Sequence, residues 1–498
     1  MQNEAASSTL CPRVISKPQR MVSMAVLPHL MMTFASRHRE EFLELERQFA
    51  ALEATPAIKR HQRSPDQRSH VQWARKNLNM LTEGGRKMNK SLSMLYRLLL
   101  LSLSGLSTTN VVAAVMHSER WIGTWSSAPE AESNTTGMLG KTDVTYREIV
   151  HLSVGGPAVR LVLTNEFGKE ALTISAVNIA LSAGGNAIKE TTLTPVRFEG
   201  QASVTLPAGT IVVSDPIAFQ VTPLSNLVVS FSILVQPLSQ ITAQTYSLQT
   251  NYMTTGNMSA APSLTTATEL TEWPFLRGVE VKSNIFGASI VTLGDSITAG
   301  AASQINENGR WTDELARRLQ KDKALSSLGV LNAGINGNRV LHDGEGDQSA
   351  LGRFDRDVLS QPGVKYLIIL EGINDIGHIT SPTVTDPAET SESILNGLKQ
   401  MVLRAHIRGL KVIGGTILPY EHCKYYSQAG ESMRQKINQW IRTTHDLDGF
   451  VDFDEAIHDP AHPSSLLPAF DSGDHLHPNT SGLNMMGDRI NLRLFRNR

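Results

Sequence analysis

The run VKYLIIL, residues 364–370, shows no polar–apolar alternation after Lys365. A strand with one face in water alternates. A continuous apolar run of this length marks a strand covered on both faces, as in a parallel sheet between helix layers. Its neighbours repeat the theme from residue 286 onward. ASIVTLG (288–294), GVLNAG (329–334), LKVIGGTILP (410–419) and GFVDFDEAI (449–457) read as strands. RWTDELARRLQKD (310–322), ESILNGLKQMVLRAHIRG (392–409, closed by Gly409), ESMRQKINQWIRTTH (431–445) and SGLNMMGDRINLRLF (481–495) read as helices. Strands alternating with helices predict an α/β domain with a parallel sheet over 286–498. In such sheets ligands gather at the carboxyl ends of the strands.

Residues 115–285 have a different texture. AVRLVLTNEF, LTISAVNIALS, ASVTLPAGTIVVSDPIAFQV and NLVVSFSILV are rich in Val, Ile, Leu and Thr, and Gly, Pro, Asn and Asp interrupt them at short intervals. This predicts a β-sandwich or jelly-roll accessory domain. TEWPFLRGVEV (271–281) is expected to carry the chain into the next domain. Further upstream, MNKSLSMLYRLLLLSLSGLSTTNVVAA (88–114) has Lys90 and Arg97, then a short apolar stretch, then small residues. That is the layout of a secretory signal peptide, and it implies a secreted or periplasmic protein with no stable membrane insertion after cleavage. Residues 1–87 are then an extension ahead of a start at Met88; the rival reading is a signal anchor with an N-terminal tail.

Composition narrows the function classes. Lys and Arg number 46 against 47 Asp and Glu, which leaves no general footprint for nucleic acid. The two cysteines, Cys11 and Cys423, build neither a disulfide framework nor a metal cluster.

The residues that follow each predicted strand share one chemistry. Ser296 follows the first strand, Gly334 and Gly337 the second, and Gly372, Asn374 and Asp375 the third; Asp474, His475 and His477 precede the last helix. One rim thus collects a hydroxyl, glycine amides, a carboxamide and an acid–imidazole pair, the parts that acyl transfer needs. Other roles are open to these residues. Ser296 could simply cap a helix, Asp295 and Asp375 could brace loops, and His475 competes with His477. Asp471, Asp474, His475 and His477 could form a metal site. Gly334, Trp311, Arg339 and Tyr420 could line a pocket or pack. Residue 298 is Thr, so the serine does not sit in a GxSxG elbow.

The blocks GDS (294–296), INGN (335–338), GxND (372–375) and DxxH (474–477), in this order, resemble the SGNH hydrolases, also called GDSL esterases and lipases. The resemblance implies a flavodoxin-like three-layer α/β/α domain. It makes Ser296 the nucleophile, His477 the base and Asp474 its orienter, with an oxyanion hole from Ser296, Gly337 and Asn374. It implies no metal and no cofactor. The expected reaction is hydrolysis of short acyl (acetyl) esters on a small molecule or polysaccharide. A lysophospholipase, lipase or acyltransferase would use the same parts, and a carbohydrate-binding protein with an inactive hydrolase scaffold is the alternative of another class.

Overall fold

The structure, a computed structural model, describes residues 120–133, 139–284, 286–380 and 390–496. The segments 1–87 and 88–114 lie outside them. The described residues belong to one compact unit, Ser118–Arg496.

Five parallel strands, β1 (Ala288–Gly294), β2 (Leu328–Gly334), β3 (Val364–Leu370), β4 (Lys411–Gly415) and β5 (Gly449–Val451), form a sheet of spatial order β2-β1-β3-β4-β5. This is the flavodoxin-like order, with its switch point between β1 and β3. The helices are α1 (Ser296–Ala299), α2 (Trp311–Lys321), α3 (Ala350–Phe354, continued by a π-helical turn), α4 (Ile373–Thr380), α5 (Ser391–Ile407), α6 (Gln428–Thr443), α7 (Phe453–Ile457) and α8 (Thr480–Arg489). Helix α2 packs against α8, while α5 packs against α3 and α6. Ile290, Val291, Leu367, Ile368 and Val412 of the sheet share one core with Leu315, Leu398, Met401, Ile437 and Met486 of the helices. From Tyr366 to Leu370 every residue of β3 is buried, which is why that run does not alternate.

The stretch 449–457 departs from expectation. The strand ends at Val451, and Asp452 caps α7 by accepting from the Glu455 N–H. An Asp in mid-run, able to satisfy a helix N-terminus, outweighs the strand preference of its neighbours.

Antiparallel sheets fill the β-rich region. Among the described residues, one four-stranded sheet has the spatial order Arg120–Ser126, Leu276–Ser283, Val159–Asn165, Thr210–Val213. A larger sheet centres on Val144–His151, Asn226–Ile233 and Leu172–Gly184. Leu161, Leu163 and Val279 from the first meet Tyr146, Val229 and Phe231 from the second in a shared core, as in a sandwich. TEWPFLRGVEV does lead into the parallel sheet, and it does so as a strand: Leu276–Ser283 lies inside the first sheet, between Arg120–Ser126 and Val159–Asn165, and β1 is the next strand in the chain. The alternation of Leu276–Ser283 was masked by Trp273, Pro274 and a kink at Phe275, where φ is +61°.

The sandwich is bolted to the parallel sheet. Ser289 Oγ accepts from the Gly123 N–H at 2.9 Å, and Ser153 Oγ accepts from the Val330 N–H at 2.9 Å. Arg277 donates to the Arg356 carbonyl at 2.6 Å and pairs with Asp357 at 3.4 Å.

Glu148 is the anomaly of the sandwich core. It is fully buried, neither carboxyl oxygen has a hydrogen-bond partner among the described residues, and burial with the nearby Glu272 pushes its pKa well up. The folded state therefore binds a proton that the unfolded chain releases, so stability is full below the ordinary Glu range and falls as pH rises. The slope reaches about 1.4 kcal/mol per pH unit where the two states differ by a whole proton. Glu148→Gln removes this titration, and its melting temperature relative to wild type should climb between pH 5 and pH 8. A constant difference over that range would show that Glu148 is ionised in the fold.

Candidate active site

The site begins where β1 ends. A Cβ on Gly294 would fall 2.1 Å from Thr298 Oγ1 and 2.7 Å from the Leu370 carbonyl, so only glycine lets α1 fold back over the strand. Asp295 then caps α1, accepting from the Ile297 N–H at 2.9 Å. Ser296 is thus not the cap; it opens the helix, 4% exposed, with its hydroxyl free to face another partner.

That partner is His477. Ser296 Oγ lies 2.8 Å from His477 Nε2, and His477 Nδ1 lies 2.6 Å from Asp474 Oδ2. With its Nδ1–H donated to the carboxylate, the imidazole presents Nε2 as an acceptor to the serine hydroxyl. Asp474 Oδ1 accepts from the backbone N–H groups of His477 and Leu476 and from Ser472 Oγ. Partial burial opposes its ionisation, but the His477 ring and these N–H groups hold its pKa down at about 2. One short turn therefore fixes the carboxylate and the ring together.

His475 points elsewhere. Its Nδ1 pairs with Asp471 Oδ2 at 2.6 Å, and its ring meets that of His422 at 5.7 Å. The four residues weighed as a metal set thus form two separate acid–imidazole pairs. Among the described residues no cluster of three or more His, Cys, Asp or Glu is arranged to hold a metal ion.

The candidate oxyanion donors come from the next two strands. Gly337 has φ +76°, and a Cβ there would meet nothing within 4 Å. Glycine stands at 337 for its left-handed backbone, not to spare a crowded approach in the free site. Neither the Ser296 nor the Gly337 backbone N–H makes a hydrogen bond among the described residues. Asn374, half-buried at the start of α4, donates one amide hydrogen to the Asn338 carbonyl at 3.0 Å, which leaves its second hydrogen available. Asp375 braces the same loop, accepting from the N–H groups of Val340 and Leu341. Asn374→Ala should lower turnover on a simple ester by about 10²-fold, the usual cost of losing one such donor. Steady-state kinetics on purified variant checks this; a loss under threefold would remove Asn374 from the hole.

Several supporting residues gave no sequence signal. Arg353 is fully buried beneath the site and donates to the carbonyls of Gly294 (3.0 Å) and Ala333 (2.8 Å) and to Asn338 Oδ1 (3.0 Å). Around it lie Asp357, Glu371 and Asp295. Burial alone would raise Asp357, yet the guanidiniums of Arg356, Arg277 and Arg353 hold it down at about 2. Burial, helped by the charge on Asp375, pushes Asp295 up to about 7, and burial beside Asp295 pushes Glu371 up as well. The β-rich region also reaches the site. Gln244 donates to the Gly334 carbonyl at 3.2 Å, and the Ala131 N–H donates to the Gly346 carbonyl at 2.8 Å. The adjacent Asp347 accepts from Asn338 at 2.6 Å. Of the residues left between pocket and packing, Trp311 and Tyr420 are fully buried core, Gly334 packs on the α1 backbone, and Arg339 donates to the Asp343 carbonyl.

A doubly wound sheet with a hydroxyl, an imidazole and a carboxylate in series at its carboxyl edge has the makeup of the hydrolase class. Residues 292–483 match the model of the GDSL-like lipase/acylhydrolase family. Among solved structures, the chain is similar to a GDSL-like lipase from Bacteroides thetaiotaomicron, at 19% identity and a TM-score of 0.31, over 42% of this chain and 87% of that one. It is likewise similar to an acetylxylan esterase from Geobacillus stearothermophilus, at 21% identity and a TM-score of 0.33, over 42% of this chain and 95% of that one. A search of the curated proteins finds no match. No helix among the described residues is long and apolar enough to cross a membrane.

Proposed function

We propose that the chain is a serine esterase that cleaves short acyl esters, acetyl above all, through an acyl-enzyme. The observation that carries this reading is the unbroken series from Ser296 Oγ through the His477 ring to Asp474, with contacts of 2.8 and 2.6 Å. Ser296 Oγ attacks the acyl carbonyl carbon while its proton passes to His477 Nε2. Asp474 stabilises the imidazolium without taking the proton itself. The developing oxyanion is met by the N–H groups of Ser296 and Gly337 and by the Asn374 amide. His477 returns the proton to the departing alcohol oxygen. Water then enters, gives its proton to His477 and attacks the acyl carbon, and the carboxylic acid leaves as Ser296 is re-protonated. Residues of this chain supply every step.

The near-burial of Ser296, at 4% exposure, supports a short acyl group. Export to a secreted or periplasmic location, on the pattern of 88–114, suits a polysaccharide or small-molecule ester as the substrate. The test is a panel of acetylated sugars and aryl acetates against matched longer acyl esters with purified protein. The reading expects kcat/KM to fall steeply beyond four acyl carbons. A preference for long chains would replace it with a lipase or lysophospholipase.

A further inference from the structure

The Tyr425 hydroxyl is buried and has no hydrogen-bond partner among the described residues. A buried hydroxyl left in that state costs free energy that a bound partner recovers, and two observations place its ring beside the site. First, its ring lies on α4 at Gly377, where an added Cβ would come within 2.5 Å of Tyr425 Cδ2. Gly377 stands one turn beyond Asn374, on the same helix face, so the ring sits next to the candidate oxyanion donor. Second, Tyr425 follows β4 in a loop held rigid by its own turn: the Cys423 N–H donates to the Tyr420 carbonyl, and the Tyr426 N–H to that of Cys423. The Tyr420 ring, 6.2 Å away, backs it from the core side. Burial first, then the neighbouring Cys423, Asp295 and Asp474, raise the pKa of the Tyr425 hydroxyl. It stays protonated at neutral pH and is there a hydrogen-bond donor.

We infer that Tyr425 is a substrate-binding residue whose hydroxyl donates to an oxygen of the substrate outside the oxyanion hole. This deepens the esterase reading and rests on it. It names the substrate class: esters that carry a hydrogen-bonding oxygen next to the scissile group, as a partly acetylated sugar does and phenyl acetate does not. A site with a buried polar group disfavours an analogue that cannot pair with it.

The test is Tyr425→Phe, which keeps the ring and deletes only the hydroxyl. The ratio of kcat/KM for an acetylated sugar to that for phenyl acetate should fall about tenfold, the worth of one hydrogen bond of ordinary strength. In the Ser296→Ala background, calorimetry should show acetylated sugar binding about tenfold more weakly when Tyr425→Phe is added. The melting temperature should hold or rise, because the hydroxyl satisfies nothing in the free protein. An unchanged ratio with unchanged binding overturns the inference, and so does a fall in melting temperature that accounts for the loss. Failure of the esterase reading is seen separately, as turnover that persists in Ser296→Ala.

Discussion

Ser296→Ala should lower turnover on a short chromogenic acetate by about a million-fold, leaving only what the oxyanion donors and binding supply. His477→Ala should fall about as far, and the double variant hardly further, because the two act as one unit. The fold should survive. Among the described residues Ser296 Oγ makes one hydrogen bond, to His477, and α1 is held by the Asp295 cap instead. Circular dichroism and melting temperature therefore separate a chemical loss from an unfolded sample. Retention of even a hundredth of wild-type turnover in folded Ser296→Ala would assign the chemistry to another group.

Arg353→Met should cost the fold about 3–5 kcal/mol, the usual penalty for breaking a buried ionic network from one side. The side chain joins the ends of β1 and β2 and the oxyanion loop at once, through Gly294, Ala333 and Asn338. Methionine fills the volume and satisfies none of these acceptors. It also removes a cation from Glu371, 3.7 Å away, while Asp357 keeps Arg356 and Arg277. Arg353→Lys retains charge but lacks the planar fork that reaches three acceptors, so it should recover only part of the loss. Denaturant unfolding checks the order wild type, Lys, Met. A Met variant within 1 kcal/mol of wild type would show that the loop ends are held by other contacts.

The parallel sheet was legible in the sequence because a strand buried on both faces leaves an unbroken apolar run, and β1 and β3 do so. No residue announced the strand order; only the resemblance to the GDSL hydrolases implied a flavodoxin-like sheet. The candidate site was legible because each of its short blocks follows a strand or precedes the last helix, where a doubly wound fold gathers its loops. Less could be read where position depends on tertiary partners. Asp452 ends β5 because its carboxylate finds the α7 N-terminus; the Asp452-x-x-Glu455 spacing is a helix-start signal, but the apolar residues around it favour a strand equally well. Leu276–Ser283 was hidden behind the Trp273–Phe275 kink and took its place only by pairing with Arg120–Ser126, far away in the chain. Arg353 and Asp347 act through backbone carbonyls and an amide, which carry no residue signature. Tyr425 was silent for the same reason: its meaning lies in a hydroxyl that finds no partner.

Covalent labelling tests the central claim most directly. Purified protein is treated with a phosphonate ester of small acyl-like substituent, digested, and the adduct mapped by mass spectrometry. The account predicts one stoichiometric adduct on Ser296, loss of hydrolysis in step with labelling, and no adduct in Ser296→Ala. Full esterase activity in protein that takes up no label at Ser296, or whose label maps to a different residue, would contradict it.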